Sequence, residues 1–295
     1  MGSRIKKAVI PAAGLGTRML PATKAIPKEM INIVDKPAIQ YVVEEIVEAG
    51  IEDILIITGR NKGVMEDYFD YSYELDDKLF KDHKIQMHDA MKEIANMANI
   101  MYVRQREPKG LGHAVARAQA FTGDEPFALL LGDDIIYNHG KGAIRQMVEA
   151  YDKAGACVLG VQKVPHSEVS KYGNIKPEMV DDRLMRVLDM VEKPAPEEAF
   201  SDYAALGRYV LTKDVYRELA TTQVGKGGEI QLTDALKTLS GKEGLYAYDF
   251  EGRRYDTGNK EGYLEAVVEY ALRHEEVSTS FRAYLQNLSK EWKGR

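Results

Sequence analysis

The feature that most constrains the fold is a regular alternation of short apolar runs with amphipathic helical stretches. Ala8-Val9-Ile10 predicts a strand, and residues 53–58 predict another whose centre is apolar on both faces. Between them, apolar residues recur at helical spacing from residue 37 to 49, and Gly50 suits the helix end. This order forms a βαβ unit, which predicts a parallel sheet.

The same alternation continues to about residue 165. It predicts further strands at 100–104, 127–131 and 157–161 and helices at 112–121 and 142–153. A charged helical insert lies between residues 71 and 99. Its Met87, Met91, Ile94 and Ala98 form a stripe, which we expect to pack against the domain rather than to hold a cofactor.

The second half of the chain has shorter strands, more prolines and no obvious linker or repeat. Strands are predicted at 186–191, 204–211 and 245–250, with helices near Lys213 and Glu229 and two more in the last 35 residues. We therefore predict one continuous α/β unit over residues 1–295, whose second half covers a cleft.

Charge and cysteine content exclude several classes of protein. A formal net charge of −6 argues against general binding to nucleic acid or to a membrane surface. The single cysteine, Cys157, rules out a disulfide framework within one chain and is predicted to pack in a buried strand. No apolar run approaches the roughly 20 residues of a membrane span, and no signal-peptide core precedes the first strand. We expect a cytoplasmic protein.

A glycine-containing segment, AAGLGTR at residues 12–18, directly follows the first strand. Small residues let the backbone approach a base or phosphate, and exposed N–H groups can hold an anion, although an ordinary tight turn has the same composition. A dinucleotide loop would need a third glycine where the chain has Met19. The loop instead continues to Lys28, and its basic residues indicate a triphosphate whose outer groups need Arg18 and Lys28.

A second segment, residues 105–114, follows a strand end and opens a helix. Gln105 offers both a donor and an acceptor, as one edge of a pyrimidine requires, and Gly110 and Gly112 permit close approach. The alternative interpretation is an exposed glutamine at a helix N-terminus.

Acidic residues form the third pattern. Asp133 and Asp134 end an apolar strand, and alternation sends their side chains to different sides, so only one is expected to bind a metal. Asp256 precedes Thr257-Gly258 and would ordinarily be part of a turn. Paired with Asp133 across a cleft, it could complete a Mg²⁺ site that uses few carboxylates plus substrate phosphates.

The fourth segment is Glu192-Lys193, directly before a proline. A glutamate can accept hydrogen bonds from sugar hydroxyls and a lysine can hold a phosphate. The alternative is a solvent-exposed ion pair.

Together and in this order, these segments resemble the bacterial UTP–glucose-1-phosphate uridylyltransferases of the sugar-nucleotide pyrophosphorylase family. The resemblance runs from about Lys7 to Lys260. It rests on AAGLGTR with PKEM, EPKGLGHA, LGDD, VEKP, LGRY, GGEIQLTDA and YDTG. The insert at 71–99 also resembles the uridylyl group rather than the shorter thymidylyl group.

The resemblance implies a Rossmann-like, glycosyltransferase-A-like nucleotidyltransferase fold with a mainly parallel sheet flanked by helices. It implies Mg²⁺-assisted transfer of a uridylyl group from UTP to glucose 1-phosphate, giving UDP-glucose and pyrophosphate. Residues of about 5–165 would bind the nucleotide, 166–260 the sugar, and 261–295 would form C-terminal helices. We also expect a homodimer, although no segment of the sequence defines the oligomeric state.

The resemblance also implies a role for individual residues. Arg18 and Lys28 would neutralise the leaving pyrophosphate, Lys193 would hold the sugar phosphate, and Asp133 and Asp256 would bind Mg²⁺. The implied nucleotide contacts are Ala13, Gly14, Leu15, Gly16, Thr17, Gln105 and Gly110, and the implied hexose contacts are Gly173, Glu192 and Glu229.

Three alternatives stay open at this point. The same chemistry could use dTTP, because uracil and thymine share one hydrogen-bonding edge. A module that senses a sugar nucleotide without turnover is disfavoured by the combination of Asp133, Asp256, Lys28 and Lys193. An NAD-dependent oxidoreductase is disfavoured by the missing third glycine.

Overall fold

The computed structural model describes residues 5–242 and 244–293. Its strands, in chain order, are β1 (Lys7–Ala12), β2 (Asn32–Ile33), β3 (Lys36–Pro37), β4 (Asp53–Thr58), β5 (Asn99–Arg104), β6 (Phe127–Leu130), β7 (Asp134–Tyr137), β8 (Cys157–Lys163), β9 (Gly173–Met179), β10 (Leu184–Glu192), β11 (Tyr203–Leu211), β12 (Leu245–Asp249) and β13 (Arg253–Asp256). Its helices are α1 (Ala38–Glu48), α2 (Val64–Phe69), α3 (Tyr73–Lys81), α4 (Ile85–Ala95), α5 (Leu111–Ala116), α6 (Gln119–Thr122), α7 (Ala143–Ala154), α8 (Asp214–Thr221), α9 (Leu232–Lys242), α10 (Lys260–Ala271) and α11 (Ser278–Lys293).

A nine-stranded sheet in the order β5-β4-β1-β6-β11-β8-β12-β10-β9 forms the centre of the molecule. The strands β5, β4, β1 and β6 are parallel neighbours, as the βαβ pattern predicts. Only β10 and β11, among the strands of this sheet, run opposite to the rest. The sheet is continuous across residue 165, so the two predicted halves share one framework.

Helices cover both faces of the sheet, which explains why its strands are apolar on both sides. In β4, Ile54 and Ile56 belong to one core cluster, whereas Leu55 and Ile57 belong to the cluster on the opposite face. The helix α1 packs its apolar stripe on the first of these clusters. Gly50, with a φ of 80°, ends the turn after α1 in a left-handed conformation that favours glycine.

Two predicted helical features are wrong in detail. The helix predicted at 112–121 is split into α5 and α6, because Arg117 and Ala118 make tighter backbone bonds to residues three positions earlier. In the insert, Met87 and Met91 are 59% and 37% exposed, so only the C-terminal part of the stripe, Ile94 and Ala98, packs on the domain.

A small antiparallel sheet, β7 with β13, is absent from the sequence prediction and positions the site. Its register pairs Asp134 with Asp256 across the two strands. Ile135 and Tyr255 of this sheet pack with Ala266 of α10 in a separate apolar cluster. The sheet therefore joins the end of β6 to a segment more than 100 residues later in the chain.

No helix in the described ranges is long and apolar enough to cross a membrane.

Candidate active site

The loops that follow β1, β4 and β5 meet at the carboxyl edge of the parallel strands, where open α/β sheets commonly bind ligands. They enclose a cavity of about 240 Å³, called the loop cavity below. Its lining includes Ala13, Gly14, Leu15, Lys62 and Gln105. Of the predicted nucleotide contacts, the structure therefore brings Ala13, Gly14, Leu15 and Gln105 together here.

Gln105 is held at the wall of the loop cavity. Its backbone N–H donates to Thr58 O at 2.9 Å, extending the pairing of β5 with β4. Its side-chain Nε2 donates to Gly110 O at 3.1 Å and lies 2.9 Å from Nδ1 of His113. Within the described part of the chain, both hydrogen bonds of the carboxamide use Nε2, which leaves Oε1 for a ligand.

A buried ion pair that sequence reasoning missed fixes the start of the loop after β1. Lys62 Nζ lies 2.9 Å from Oε2 of the fully buried Glu29 and donates to Ala12 O at 2.5 Å. Burial lowers the pKa of Lys62 and raises that of Glu29, so each charge depends on the other. The pair ties β1, the loop after β4 and the basic loop together.

The predicted nucleotide contacts Gly16, Thr17 and Gly110 are not among the residues that line this cavity. Gly16 O accepts from Met19 N and from Thr23 Oγ1, so this part of the loop forms a turn. Gly110 has a φ of 98°, and a Cβ there would lie 2.7 Å from Glu229 Cβ. Protein packing therefore requires glycine at this position, and the contact of Gly110 with the base stays a prediction.

Beside the loop cavity, two cations contact the acidic pair. Lys28 Nζ lies 2.5 Å from Asp133 Oδ2, and Arg18 Nη1 lies 3.3 Å from Asp256 Oδ2. Burial disfavours the charge of Asp133, yet Lys28 and Arg18 outweigh burial and lower the pKa of its carboxyl. Burial likewise opposes the charge of Lys28, but Asp133 outweighs it and raises the lysine pKa. Both groups are therefore charged at neutral pH.

The β7–β13 sheet brings Asp133 and Asp256 to one point. Thr257 donates to Asp133 O from its backbone N at 2.9 Å and from Oγ1 at 2.8 Å. A Cβ on Gly258 would lie 2.3 Å from Asp133 Oδ2 and 3.0 Å from Asp256 Oδ1. Glycine at 258 thus keeps open a space that both carboxylates face.

This donor set fits Mg²⁺. The ion prefers oxygen ligands and is commonly bound by one or two carboxylates together with substrate phosphates. In the described residues, no group of three or more His, Cys, Asp or Glu side chains could hold a metal ion. An ion between Asp133 and Asp256 would therefore complete its coordination with oxygens of water or of a bound phosphate.

The neighbouring acid, Asp134, points elsewhere, as strand alternation predicts. Its Oδ1 lies 2.6 Å from Nη2 of Arg254, and its backbone carbonyl accepts from the fully buried Arg208 at 2.8 Å. Burial raises the pKa of Asp134, and the charge of Arg254 opposes that shift. Arg208 also makes a buried ion pair with Glu45 at 2.7 Å. Asp134 therefore binds Arg254 and Arg208 and has a structural role next to the acidic pair.

The acidic pair lines a second cavity, of about 500 Å³, called the wide cavity below. Its lining includes Asp133, Asp256 and the predicted sugar-side residues Gly173, Glu192, Lys193 and Glu229. The register of β9 with β10 places Gly173 directly opposite Glu192.

Thr233 is a further residue of the wide cavity that sequence reasoning did not single out. Its Oγ1 donates to Glu192 Oε2 at 2.5 Å, which fixes the carboxylate. A Cβ on Gly173 would lie 3.3 Å from Thr233 Oγ1 and 3.4 Å from Glu192 Oε2. The threonine stands in the GGEIQLTDA segment, which was the available signal.

Lys193 has features of both predicted roles, a solvent-exposed ion pair and a ligand for phosphate. Its Nζ lies 3.2 Å from Glu192 Oε1 and its side chain is 48% exposed, as in an ion pair at the surface. It also lines the wide cavity. Its φ of 46° is unusual for a residue with a side chain, and such conformations cluster at functional sites. Its backbone N–H donates to Tyr172 O at 3.0 Å.

Comparison with known proteins places this geometry in a family. The nucleotidyl transferase family model matches residues 7–272. This chain belongs to the nucleotidyl transferase family. The resemblance, the nucleotidyltransferase fold and the enzyme class inferred from the sequence motifs are confirmed.

Relatives and solved structures match this nucleotidyltransferase over nearly its whole length. The UTP–glucose-1-phosphate uridylyltransferase of Bacillus subtilis is 50% identical over 285 residues, which is 97% of each chain. The B. subtilis uridylyltransferase YngB is 53% identical over 290 residues, 98% of this chain and 97% of its own.

Two solved structures show the same fold. A UDP-glucose pyrophosphorylase complexed with UDP-glucose has a TM-score of 0.85 and 46% identity, covering 92% of this chain and all of its own. A UTP-bound enzyme of this type from Acinetobacter baumannii has a TM-score of 0.90 and 38% identity, covering 96% and 99%.

Proposed function

We propose that this nucleotidyltransferase transfers a uridylyl group from UTP to glucose 1-phosphate and releases UDP-glucose and pyrophosphate. The observation that carries the proposal is that Lys28 lies between two cavities. Its side-chain end lies next to Gly14 of the loop cavity, and its Nζ lies 2.5 Å from Asp133, which lines the wide cavity together with Asp256 and Arg18. The printed names of relatives at about 50% identity support the same substrates.

The nucleotide lies in the loop cavity in this proposal. Oε1 of Gln105 accepts a hydrogen bond from the base, and the backbone at Ala13 and Gly14 leaves room for its approach. A Cβ on Gly14 would meet only the end of the Lys28 side chain, at 3.6 Å. The triphosphate then runs from this cavity toward Lys28 and Arg18.

The hexose 1-phosphate occupies the wide cavity. Glu192, Gly173 and Glu229 contact hydroxyls, and Lys193 holds the phosphate. The hydrogen bond from Thr233 leaves the Glu192 carboxylate in one orientation. In this arrangement, the phosphate ends of the two substrates meet beside Asp133 and Asp256.

The chemistry needs no general base. A phosphate monoester has a second pKa of about 6, so the attacking oxygen of glucose 1-phosphate is already anionic near pH 7. Catalysis then consists of in-line positioning and stabilisation of charge on the leaving pyrophosphate. Lys28 and Arg18 supply that charge. Asp133 and Asp256 would hold Mg²⁺, which neutralises charge on the reacting phosphates when bound.

Substrate binding changes the partners of the cations. Lys28 is ion-paired with Asp133 at 2.5 Å before substrate enters. A triphosphate is a stronger partner for the lysine, because it offers several anionic oxygens. Moving Lys28 to the phosphate frees the Asp133 carboxylate for the metal. A homodimer and a cytoplasmic location stay predictions from the sequence.

The test is pyrophosphate release from a matrix of UTP, dTTP, CTP and ATP against the 1-phosphates of glucose, galactose and mannose, with Mg²⁺. We expect the highest kcat/KM for UTP with glucose 1-phosphate and UDP-glucose as the product. A higher kcat/KM for dTTP would reassign the nucleotide. Binding of UDP-glucose without any turnover would indicate a sensor instead of an enzyme.

A further inference from the structure

The ring of His113 lies against Gln105, and the proposed mechanism gives this histidine no task. Nδ1 of His113 is 2.9 Å from Nε2 of Gln105, and the same Nε2 donates to Gly110 O at 3.1 Å. Both partners belong to the short segment that opens α5. The carboxamide is therefore held on its nitrogen side by two groups from one place in the chain.

The two partners define which way the carboxamide faces. A backbone carbonyl can only accept, and a neutral imidazole accepts at the ring nitrogen that carries no proton. When both accept from Nε2, Oε1 is directed away from them. Reversing the carboxamide would set Oε1 against the carbonyl of Gly110 and lose both bonds.

The orientation matters because uracil and cytosine differ along this edge, at N3 and in the group on C4, which is oxo in uracil and amino in cytosine. Uracil carries a proton on N3 and can donate to Oε1, whereas cytosine has an unprotonated acceptor there. Facing Oε1, cytosine would bring two acceptors together, which leaves both without a hydrogen bond. The orientation of one carboxamide thus discriminates between the two bases.

We propose that His113 is a positioning residue that holds Oε1 of Gln105 toward the base and thereby sets the preference for UTP over CTP. The inference rests on the proposed function, in which the loop cavity holds the base. His113 acts through Gln105 and does not itself contact the nucleotide.

The charges around His113 keep its ring neutral. Burial lowers its pKa below the usual value of 6.5, and the nearby charges of Arg117 and Lys109 lower the pKa further. The charge and the backbone of Glu107 oppose that shift, but Glu107 is itself ion-paired with Lys109 at 2.6 Å. In the tautomer that carries the ring proton on the other nitrogen, Nδ1 of this neutral ring accepts from Gln105. Protonation would turn it into a donor facing the donor Nε2.

The sign of the pH effect follows. The preference for UTP is present above the pKa of His113 and is lost as the pH falls through it. Because that pKa is lowered, the loss begins below about pH 6.5. Ionisation of the substrate phosphates is common to UTP and CTP, so it cancels in the ratio of their kcat/KM values.

The experiment measures kcat/KM for UTP and for CTP, with glucose 1-phosphate and Mg²⁺, from pH 5.5 to 8. The variants are His113→Ala, His113→Asn and, as a control, His166→Asn, whose exposed ring lies against Asp202 at 2.9 Å. In His113→Ala the UTP:CTP ratio falls by about tenfold, the effect of one hydrogen bond. His113→Asn keeps the ratio and loses its pH dependence, since an amide oxygen accepts but does not titrate.

Several results would overturn the inference. His113→Ala could reduce kcat/KM equally for both triphosphates, which is the behaviour of a purely structural residue, or His113→Asn could lose the UTP:CTP preference as fully as His113→Ala does. If His113→Ala does not fold, the parent and His113→Asn profiles carry the test. Absence of UTP turnover in the parent contradicts the proposed function instead, and the UTP:CTP ratio of binding constants, measured by calorimetry over the same pH range, then decides the role of His113.

Discussion

The two cavities of this nucleotidyltransferase are built in different ways. The loop cavity is made by loops that leave neighbouring parallel strands at one edge of the sheet, and its lining includes Ala13, Gly14 and Gly59, which have little or no side chain. The wide cavity is lined by side chains that come from strands β9 and β10, the start of α9 and the end of β13. Asp133 and Asp256 line the wide cavity, and Lys28 lies between Asp133 and Gly14 of the loop cavity.

The difference separates two kinds of recognition. A backbone edge can accept a flat base and a phosphate chain with few specific side chains, because N–H groups and space do most of the binding. A hexose has many hydroxyls and requires polar side chains held in fixed orientations. Substitutions in the loop cavity should therefore change KM and kcat/KM for UTP. Substitutions in the wide cavity should change KM and kcat/KM for glucose 1-phosphate.

The largest effect is expected at the acidic pair. Asp133→Asn and Asp256→Asn should each lower kcat by at least about a hundredfold, since each removes a proposed metal ligand worth several kcal/mol of charge stabilisation. Steady-state kinetics at saturating Mg²⁺ measure this loss, and thermal unfolding checks that the fold survives.

Asp134→Asn is the matched control for these two variants. It removes the ion-pair partner of the half-buried Arg254, so it should lower the unfolding temperature more than Asp133→Asn does. Near-normal turnover in either Asp133→Asn or Asp256→Asn would remove that residue from the metal site.

The next largest effect should distinguish two lysines. Lys28→Ala should lower kcat and kcat/KM together, because its charge acts mainly as pyrophosphate departs; the loss of one charged hydrogen bond is about 1.5–3 kcal/mol. Lys193→Ala should also raise KM for glucose 1-phosphate. Steady-state kinetics in which each substrate is varied separately give the test. If Lys193→Ala changed only KM and kcat/KM for UTP, the assignment of the two substrates to separate cavities would be contradicted.

Gln105→Ala should have a moderate effect confined to the loop cavity. Losing its hydrogen bonds to the base should cost roughly 1–3 kcal/mol in kcat/KM for UTP and reduce discrimination against CTP, with KM for glucose 1-phosphate unchanged. Competition kinetics with UTP and CTP measure the discrimination. If the variant keeps the parent's preference, another residue reads the base.

The smallest effect belongs to the wide cavity. Thr233→Val keeps the shape of the side chain but removes the hydrogen bond to Glu192, which should raise KM for glucose 1-phosphate by about fivefold, or ~1 kcal/mol. Thr238→Val, on the exposed face of the same helix, is the control. An equal change in both variants would mean that the bond to Glu192 does not orient it.

Sequence reasoning succeeded where the structure follows from local patterns. The parallel strands, the helix α1 and the glycine loop after β1 are each specified by contiguous residues, and their strands meet at one edge by topology alone. Pairing between distant segments was not predictable in this way. Thr257 donates a hydrogen bond to Asp133, which lies 124 positions earlier in the sequence. The strands β7 and β13 have only four residues each, too few to show a periodic pattern.

Two further misses have related physical causes. A lysine in a loop is normally expected to be exposed to solvent, so nothing in the sequence marks Lys62 as the buried partner of Glu29. A methionine stripe reads as buried, yet the insert leaves Met87 exposed, because spacing gives the face of a helix and not what covers it. Both outcomes depend on tertiary neighbours.

The most direct test is a crystal structure with UDP-glucose and Mn²⁺ in place of Mg²⁺, using the anomalous signal to locate the ion. We expect uracil against Gln105 and the Ala13–Gly14 backbone, glucose against Glu192 and Gly173, and the ion bound by Asp133 and Asp256. Uracil in the wide cavity, or an ion bound away from both aspartates, would contradict the division of the site on which the mechanism depends.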